Sequence, residues 1–240
     1  ELGIVDEREF WTLAVGRELT DPPRYAEDFL GSKLMQNWED ALDKGIDANA
    51  SQLNLAYVSA DPEIYSWYYR DREEDASDLS NLPLTAYLIN LGMTSMNAPL
   101  DVRILDTVGL ATPIAARMPR DPKGRVGHDK FLDPAWQAAD TDTYLDGLPP
   151  FISSMRAKQA RAALRSPEIS ELLATSREPM SWERFWKNVR YSLGDGRTLQ
   201  LSSDPGLYID ADTRRAIRHG ANPGMGGAQI AWPVQAHDGE

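Results

Sequence analysis

Few side chains in this sequence could do chemistry, and their neighbours decide what each could do. Among 240 residues there are three His and no Cys, so disulfides, Cys metal sites and thiol catalysis are excluded. His219 and His237 stand in or near a Gly-rich tail without partners and read as surface residues. His128 differs, because it sits in Lys123-Gly124-Arg125-Val126-Gly127-His128-Asp129-Lys130. An imidazole acting as general base needs an orienting carboxylate. Asp129 is adjacent, but side chains of consecutive residues pair poorly, so His128 and Arg125 read as hydrogen-bonding contacts to a ligand rather than as a proton relay. Two Asp-x-Asp pairs, Asp140-Thr141-Asp142 and Asp210-Ala211-Asp212, have the form that holds a metal in nucleotide-sugar glycosyltransferases. Such pairs also arise by chance in an acidic chain. Asp146 does not complete a calcium loop with the first pair, since Leu145 stands where that loop needs Gly. No Ser nucleophile elbow, phosphate-cradling loop or dinucleotide fingerprint occurs; Gly224-Met225-Gly226-Gly227 follows no strand pattern.

Aromatic rings are the other resource. Seven Trp and nine Tyr exceed what a core of this size requires. Ring faces stack on sugars, which makes the triplet Trp67-Tyr68-Tyr69, and Trp67 in it, a candidate for carbohydrate contact. Trp182, Phe185, Trp186 and Val189 follow helical spacing and are expected to face the core.

The elements that must position these residues are partly punctuated by caps. A capping residue followed by Pro at Asp61-Pro62, Thr112-Pro113, Asp133-Pro134 and Ser166-Pro167 reads as a helix start, and Ser181 reads the same way without Pro. Helices are expected near 22–44, 61–70, 112–118, 133–140, 153–165, 167–175 and 181–193. Strands are expected at 52–59, where Leu53, Leu55 and Tyr57 alternate, at 101–106, and at 198–201. Leu84–Leu91 fits either type. Pro119–Phe131 reads as a loop, and the Gly/Pro-rich stretch 221–240 as a terminal extension to a domain of residues 1–220. The fold class expected is mixed α/β (α+β), helix-rich with a small sheet, in a single soluble domain.

Charge narrows the partners. The formal net charge is −12, all of it within residues 1–80, which argues against a nucleic-acid partner. The densest acidic run, Asp71 to Asp78, reads as a solvated loop. Arg156, Lys158, Arg161 and Arg165 share one helix and read as a solvated face, with anionic headgroups or a phosphate as the alternative. No apolar run approaches the ~18–20 residues of a membrane span. With no initiating Met and no signal peptide, the chain reads as a fragment of something longer.

Residues 92–130 carry a resemblance. Leu105-Asp106-Thr107, Gly109-Leu110-Ala111, then Ala116-Arg117 and Gly127-His128-Asp129-Lys130 are similar to the extracytoplasmic C-terminal domain of polytopic actinobacterial GT-C glycosyltransferases using lipid-linked sugars. The terminal β-(1→2) arabinofuranosyltransferases are the most similar. Thr112 and Asp129 replace that family's usual Asp and Glu. Gly3 to Arg8, Ala160 to Leu164, Pro179 to Trp182 and Asp204-Pro205 extend the similarity over most of the chain. The resemblance implies transfer of arabinofuranose from decaprenyl-phosphoryl arabinose to an arabinan acceptor of the cell wall, at the extracytoplasmic face, without cofactor. It places the catalytic Asp on a loop outside this sequence, so no catalytic residue is expected here and the isolated fragment is expected to be inactive. The substrate contacts it points to are Asp106, Thr107 and His128, beside the residue-based candidates Arg125 and Trp67, with a structural turn whose Asp106 caps the next helix as the alternative for the Asp106 segment. A carbohydrate-binding module without a part in transfer, and a metal-dependent enzyme built on the Asp pairs, stay open as alternatives.

Overall fold

A computed structural model describes residues 7–73 and 82–221. The extension beyond residue 221, the segment 74–81 of the acidic run, and residues 1–6 lie outside the described residues. Helix α1 (Glu7–Ala14) opens the chain. The single helix expected over 22–44 is instead two short 3-10 turns, at Ala26–Gly31 and Lys33–Met35, followed by α2 (Trp38–Asp47). Ser32 is extended and Asn37 takes a left-handed conformation (φ 51°), so no continuous helix can pass through them.

The helix expected over 61–70 is a strand. Asp61-Pro62 forms the two-residue turn of a hairpin, and the residues after it are β-branched and aromatic. Strand β1 (Gln52–Ala60) pairs antiparallel with β2 (Glu63–Arg70). The undecided segment resolves into β3 (Thr85–Tyr87) and α3 (Leu91–Ser95), and β4 (Arg103–Leu105) follows. The sheet order is β2-β1-β3-β4, with β1/β3 and β3/β4 parallel. The remaining helices are α4 (Pro113–Arg117), α5 (Pro134–Ala139), α6 (Ser154–Ala163), α7 (Pro167–Arg177), α8 (Trp182–Leu193), α9 (Asp195–Thr198) and α10 (Ala211–Arg218). Four of these start at the capping residues read from the sequence, and α6 lies within the expected 153–165. The strand expected at 198–201 does not form, because Thr198 closes α9 and Leu201 only donates its amide to Arg117 O.

Strand alternation splits the interior in two. Leu53, Trp67, Ala86 and Val102 pack on one sheet face against Trp38 and Leu42 of α2. Tyr87 and Leu105 belong to the other side, with Ile114, Trp136, Ala160 and Leu172 of the helices. The fold is thus a small mixed sheet between one helix layer and a helical half, which is a mixed α/β domain. Among the described residues no helix is long and apolar enough to cross a membrane.

Candidate functional site

The sheet face that points away from α2 forms the floor of a groove of about 540 Å³. Two cross-strand pairs build that floor, Gln52 opposite Arg70 and Asn54 opposite Tyr68. Period-2 alternation puts all four on one face. Tyr87 continues the floor on β3. The walls come from Thr107 and Val108 after β4, from His128, Lys130 and Phe131, from Gln137 of α5, and from Leu148, Phe151 and Ile152. Tyr68, Phe131 and Phe151 all expose their rings.

The two cations of the lining are held by neutral oxygens. Arg70 donates through Nε to Thr143 Oγ1 at 3.3 Å and through Nη2 to Gly147 O at 2.6 Å. Lys130 Nζ donates to Ala116 O at 2.9 Å. Among the described residues neither cation is in an ion pair, and the buried Asn54 Nδ2 has no acceptor. No Asp or Glu is among the described residues that line the groove.

Thr107 and His128 therefore come together at one groove wall, while the other three sequence candidates lie elsewhere. Asp106 is fully buried under the turn that follows β4. One carboxylate oxygen accepts the amides of Val108 at 2.9 Å, Leu110 at 2.8 Å and Gly109; the other accepts those of Ala111 at 2.8 Å and Thr112 at 2.9 Å. Thr112 Oγ1 in return accepts the Asp106 amide at 2.9 Å. Burial alone would raise the Asp106 carboxyl, but the amides of Ala111, Leu110, Thr112 and Gly109 outweigh it and hold the group below its ordinary value. Asp106 is thus not a ligand contact. It shapes the backbone that presents Thr107 and Val108, and its oxygens have no capacity left for a substrate. Gly109 belongs to the same device: its φ is +88°, and a Cβ would meet the Ala116 backbone at 2.5 Å.

Trp67 is 2% exposed and faces α2, edge-on to Trp38 at 4.6 Å, with its indole N–H donated to Leu34 O at 2.7 Å. A sugar cannot reach it; the ring that faces the groove is Tyr68. Arg125 is exposed outside the groove, with Nη2 3.5 Å from His128 Nε2 and 3.9 Å from Glu7. Asp129 turns away from His128 to pair with Arg120, whose guanidinium holds its carboxyl below the ordinary value, so no orienting carboxylate stands behind the imidazole.

The Asp-x-Asp pairs have structural work. Asp140 takes a bidentate pair from Arg177 at 2.7 and 2.6 Å and the Tyr87 hydroxyl at 2.9 Å, with Arg103 Nη1 at 3.5 Å. Asp142 pairs with Arg72, and Arg161 ties Thr141 O and Thr143 O to Glu73. Four guanidiniums surround the pair where a divalent cation would have to sit, which overturns the metal-enzyme alternative at this pair. Asp210 instead caps α10 through the Thr213 amide at 2.7 Å. Two of the four cations expected on a solvated face turn inward instead: Arg161 is buried, and buried Lys158 pairs with Asp146 at 2.6 Å, whereas Arg156 is partly exposed and Arg165 is exposed beyond the end of α6. Arg72 and Glu73 are likewise tied into this network rather than solvated.

Sequence reading names Tyr68 only within the triplet and misses Arg70, because it takes 61–70 as a helix; Gln52 and Asn54 lie on the strand it expects, but on the face opposite the apolar positions that it follows. With the hairpin recognised, strand parity would have found them. Phe131 and Phe151 stand in irregular segments and carry no periodic signal.

A family model described as the AftB family C-terminal domain matches residues 31–211. The chain is 46% identical over 236 residues to the terminal beta-(1->2)-arabinofuranosyltransferase of Corynebacterium glutamicum, a match covering 96% of this chain and 33% of that protein. It is 32% identical over 197 residues to the protein of the same name in Mycobacterium tuberculosis, covering 79% of this chain and 30% of that protein. The chain therefore spans about one third of the length of the curated relatives it matches. No solved structure matches it.

Proposed function

The chain belongs to the AftB family as its C-terminal domain, and from that premise we propose that it is the acceptor-binding domain of a membrane arabinofuranosyltransferase. The intact enzyme moves arabinofuranose from decaprenyl-phosphoryl arabinose to the non-reducing ends of arabinan, in arabinogalactan and lipoarabinomannan. It works at the extracytoplasmic face of the membrane. A carboxylate takes the proton of the acceptor hydroxyl while the lipid phosphate leaves with inversion.

The observation that carries the reading is the groove, with its three exposed rings, its polar floor of Gln52, Asn54 and Arg70, and no carboxylate among its described lining residues. Rings of this kind stack on the C–H faces of furanoses. Asn54, Gln137, Thr107 and His128 supply partners for sugar hydroxyls.

Titrating the domain with short arabinofuranose oligosaccharides, followed by NMR shifts, tests this directly. Saturable shifts at Thr107, His128 and Tyr68, lost in Tyr68→Ala, support the reading. No shifts at millimolar oligosaccharide would remove the acceptor role. The exposed rings of the groove also suit a second reading, a carbohydrate-binding module with no direct part in transfer. Deleting the domain from the intact protein separates the two: the first expects transfer to be abolished, the second expects only a weaker acceptor affinity.

A further inference from the structure

Helix α8 is mounted with its polar side inward. Ser181 caps it by accepting the Arg184 amide at 3.1 Å. Arg184 is buried and donates to Glu171 at 2.5 Å, Glu178 at 2.9 Å and Asn188 at 2.7 Å, and Asn188 donates to Thr175 O at 2.9 Å. Tyr191 adds a half-buried contact with the helical core. These anchors leave the opposite arc, about 100° wide by helical geometry, facing solvent. It carries Trp182, Phe185, Trp186, Val189 and Leu193. Trp182 is 77% exposed, Trp186 52% and Phe185 41%. The core position expected for this stripe is therefore wrong, because the charged network took the inward side.

The three rings form an edge-to-face ladder, with centroids 5.7 Å apart for Trp182–Phe185 and 5.2 Å for Phe185–Trp186. Met180 extends the patch before the helix. Along one flank Lys187 is paired with the exposed Glu183 at 2.9 Å, while Arg190 stands exposed and is in no ion pair among the described residues. We propose that this face of α8 is a docking surface for an anionic lipid headgroup layer, with Trp182, Phe185 and Trp186 entering the interface and Arg190 meeting the headgroups. Two observations select a lipid surface over a protein partner. Trp and Phe on one exposed arc are the side chains that settle at the boundary of headgroups and acyl chains. The unpaired Arg190 beside them complements anionic lipid, in a chain that is otherwise strongly acidic. This inference does not depend on the sugar groove, with which it shares no residue.

The test mixes the 240-residue chain with vesicles of phosphatidylcholine alone and of equal parts phosphatidylglycerol and phosphatidylcholine, followed by flotation. The expected result is co-flotation with the anionic vesicles only, with a blue shift of Trp emission and quenching by brominated acyl chains. The overall negative charge of the chain makes non-specific attraction to these vesicles a poor explanation. Trp182→Ser/Trp186→Ser should abolish flotation and the blue shift while leaving thermal unfolding unchanged, since both side chains already face water. Arg190→Glu should lower binding about tenfold. No flotation with either vesicle, or equal flotation of the double variant, overturns the proposal. So does a dimer in sedimentation that the double variant dissolves without any lipid binding, since the patch would then serve a second copy.

Discussion

At the scale of single residues, Trp67 and Tyr68 are neighbours in the chain yet face opposite sides of β2. Trp67→Ala empties a fully packed site against Trp38 and should cost about 3–5 kcal/mol of stability, read by urea unfolding. Tyr68→Ala removes a ring that is already partly in water. It should leave the unfolding midpoint nearly in place and weaken arabinan oligosaccharide binding about fivefold or more. An exchange of these two outcomes would show that the groove had been assigned to the wrong face. Asp106 invites the opposite test. Asp106→Ala leaves five amides without their acceptor and should cost more than about 3 kcal/mol. Because the folded state holds this carboxyl below its unfolded value of about 3.9, its contribution is complete above that pH. It is lost as the pH falls through the folded value. An acid-unfolding curve that shifts to higher pH relative to wild type in Asp106→Ala would contradict nothing; identical curves after correction for overall stability would.

At the scale of elements, two devices position the groove wall and floor. The turn from Asp106 to Thr112 needs Gly109, and Gly109→Ala should be destabilising both through its positive φ and through collision with the Ala116 backbone. The loss should appear in thermal unfolding and be accompanied by weaker oligosaccharide binding, since Thr107 and Val108 move with the turn. The second device is the segment 140–143, held by Arg72, Arg103, Arg161 and Arg177. Asp140 is buried, which alone would raise its carboxyl, yet Arg177 and Arg103 beside it bring the group below its ordinary value. Asp140→Ala strands buried guanidinium charge and should cost about 3–5 kcal/mol, read by urea unfolding.

For the whole molecule, the sheet divides two apolar interiors, and the surface carries two separate features of different chemistry. The groove offers rings, uncharged polar groups and two cations held by neutral oxygens, Arg70 and Lys130, to a neutral sugar. The α8 face offers rings and the cation of Arg190 to a charged layer. Raising the salt from 50 to 500 mM should therefore change oligosaccharide affinity little and weaken vesicle binding strongly. Oligosaccharide affinity measured on vesicle-bound protein should equal that in solution. A salt-sensitive sugar affinity would mean that Arg70 and Lys130 read an anionic ligand rather than an arabinan.

The helical half was legible in the sequence because caps are local. Asp133, Ser153 and Ser181 each accept an amide of the turn they open, Pro113 and Pro167 stand in the first turn of theirs, and α4 to α8 start where these residues stand. The family was legible too, in the Asp106 turn and the Gly127-His128 segment. The hairpin was misread because Asp-Pro opens helices and turns alike, and only the pairing of Glu63–Arg70 with Gln52–Ala60 distinguishes them. The side each residue faces could not be read for the same reason. Helical spacing says that Trp182, Phe185 and Trp186 share an arc, but not which arc turns inward. That was decided by Glu171, Glu178 and Thr175, which lie on another helix and claim Arg184 and Asn188. Periodicity belongs to one element, whereas burial is settled by what the neighbouring elements bring to meet it.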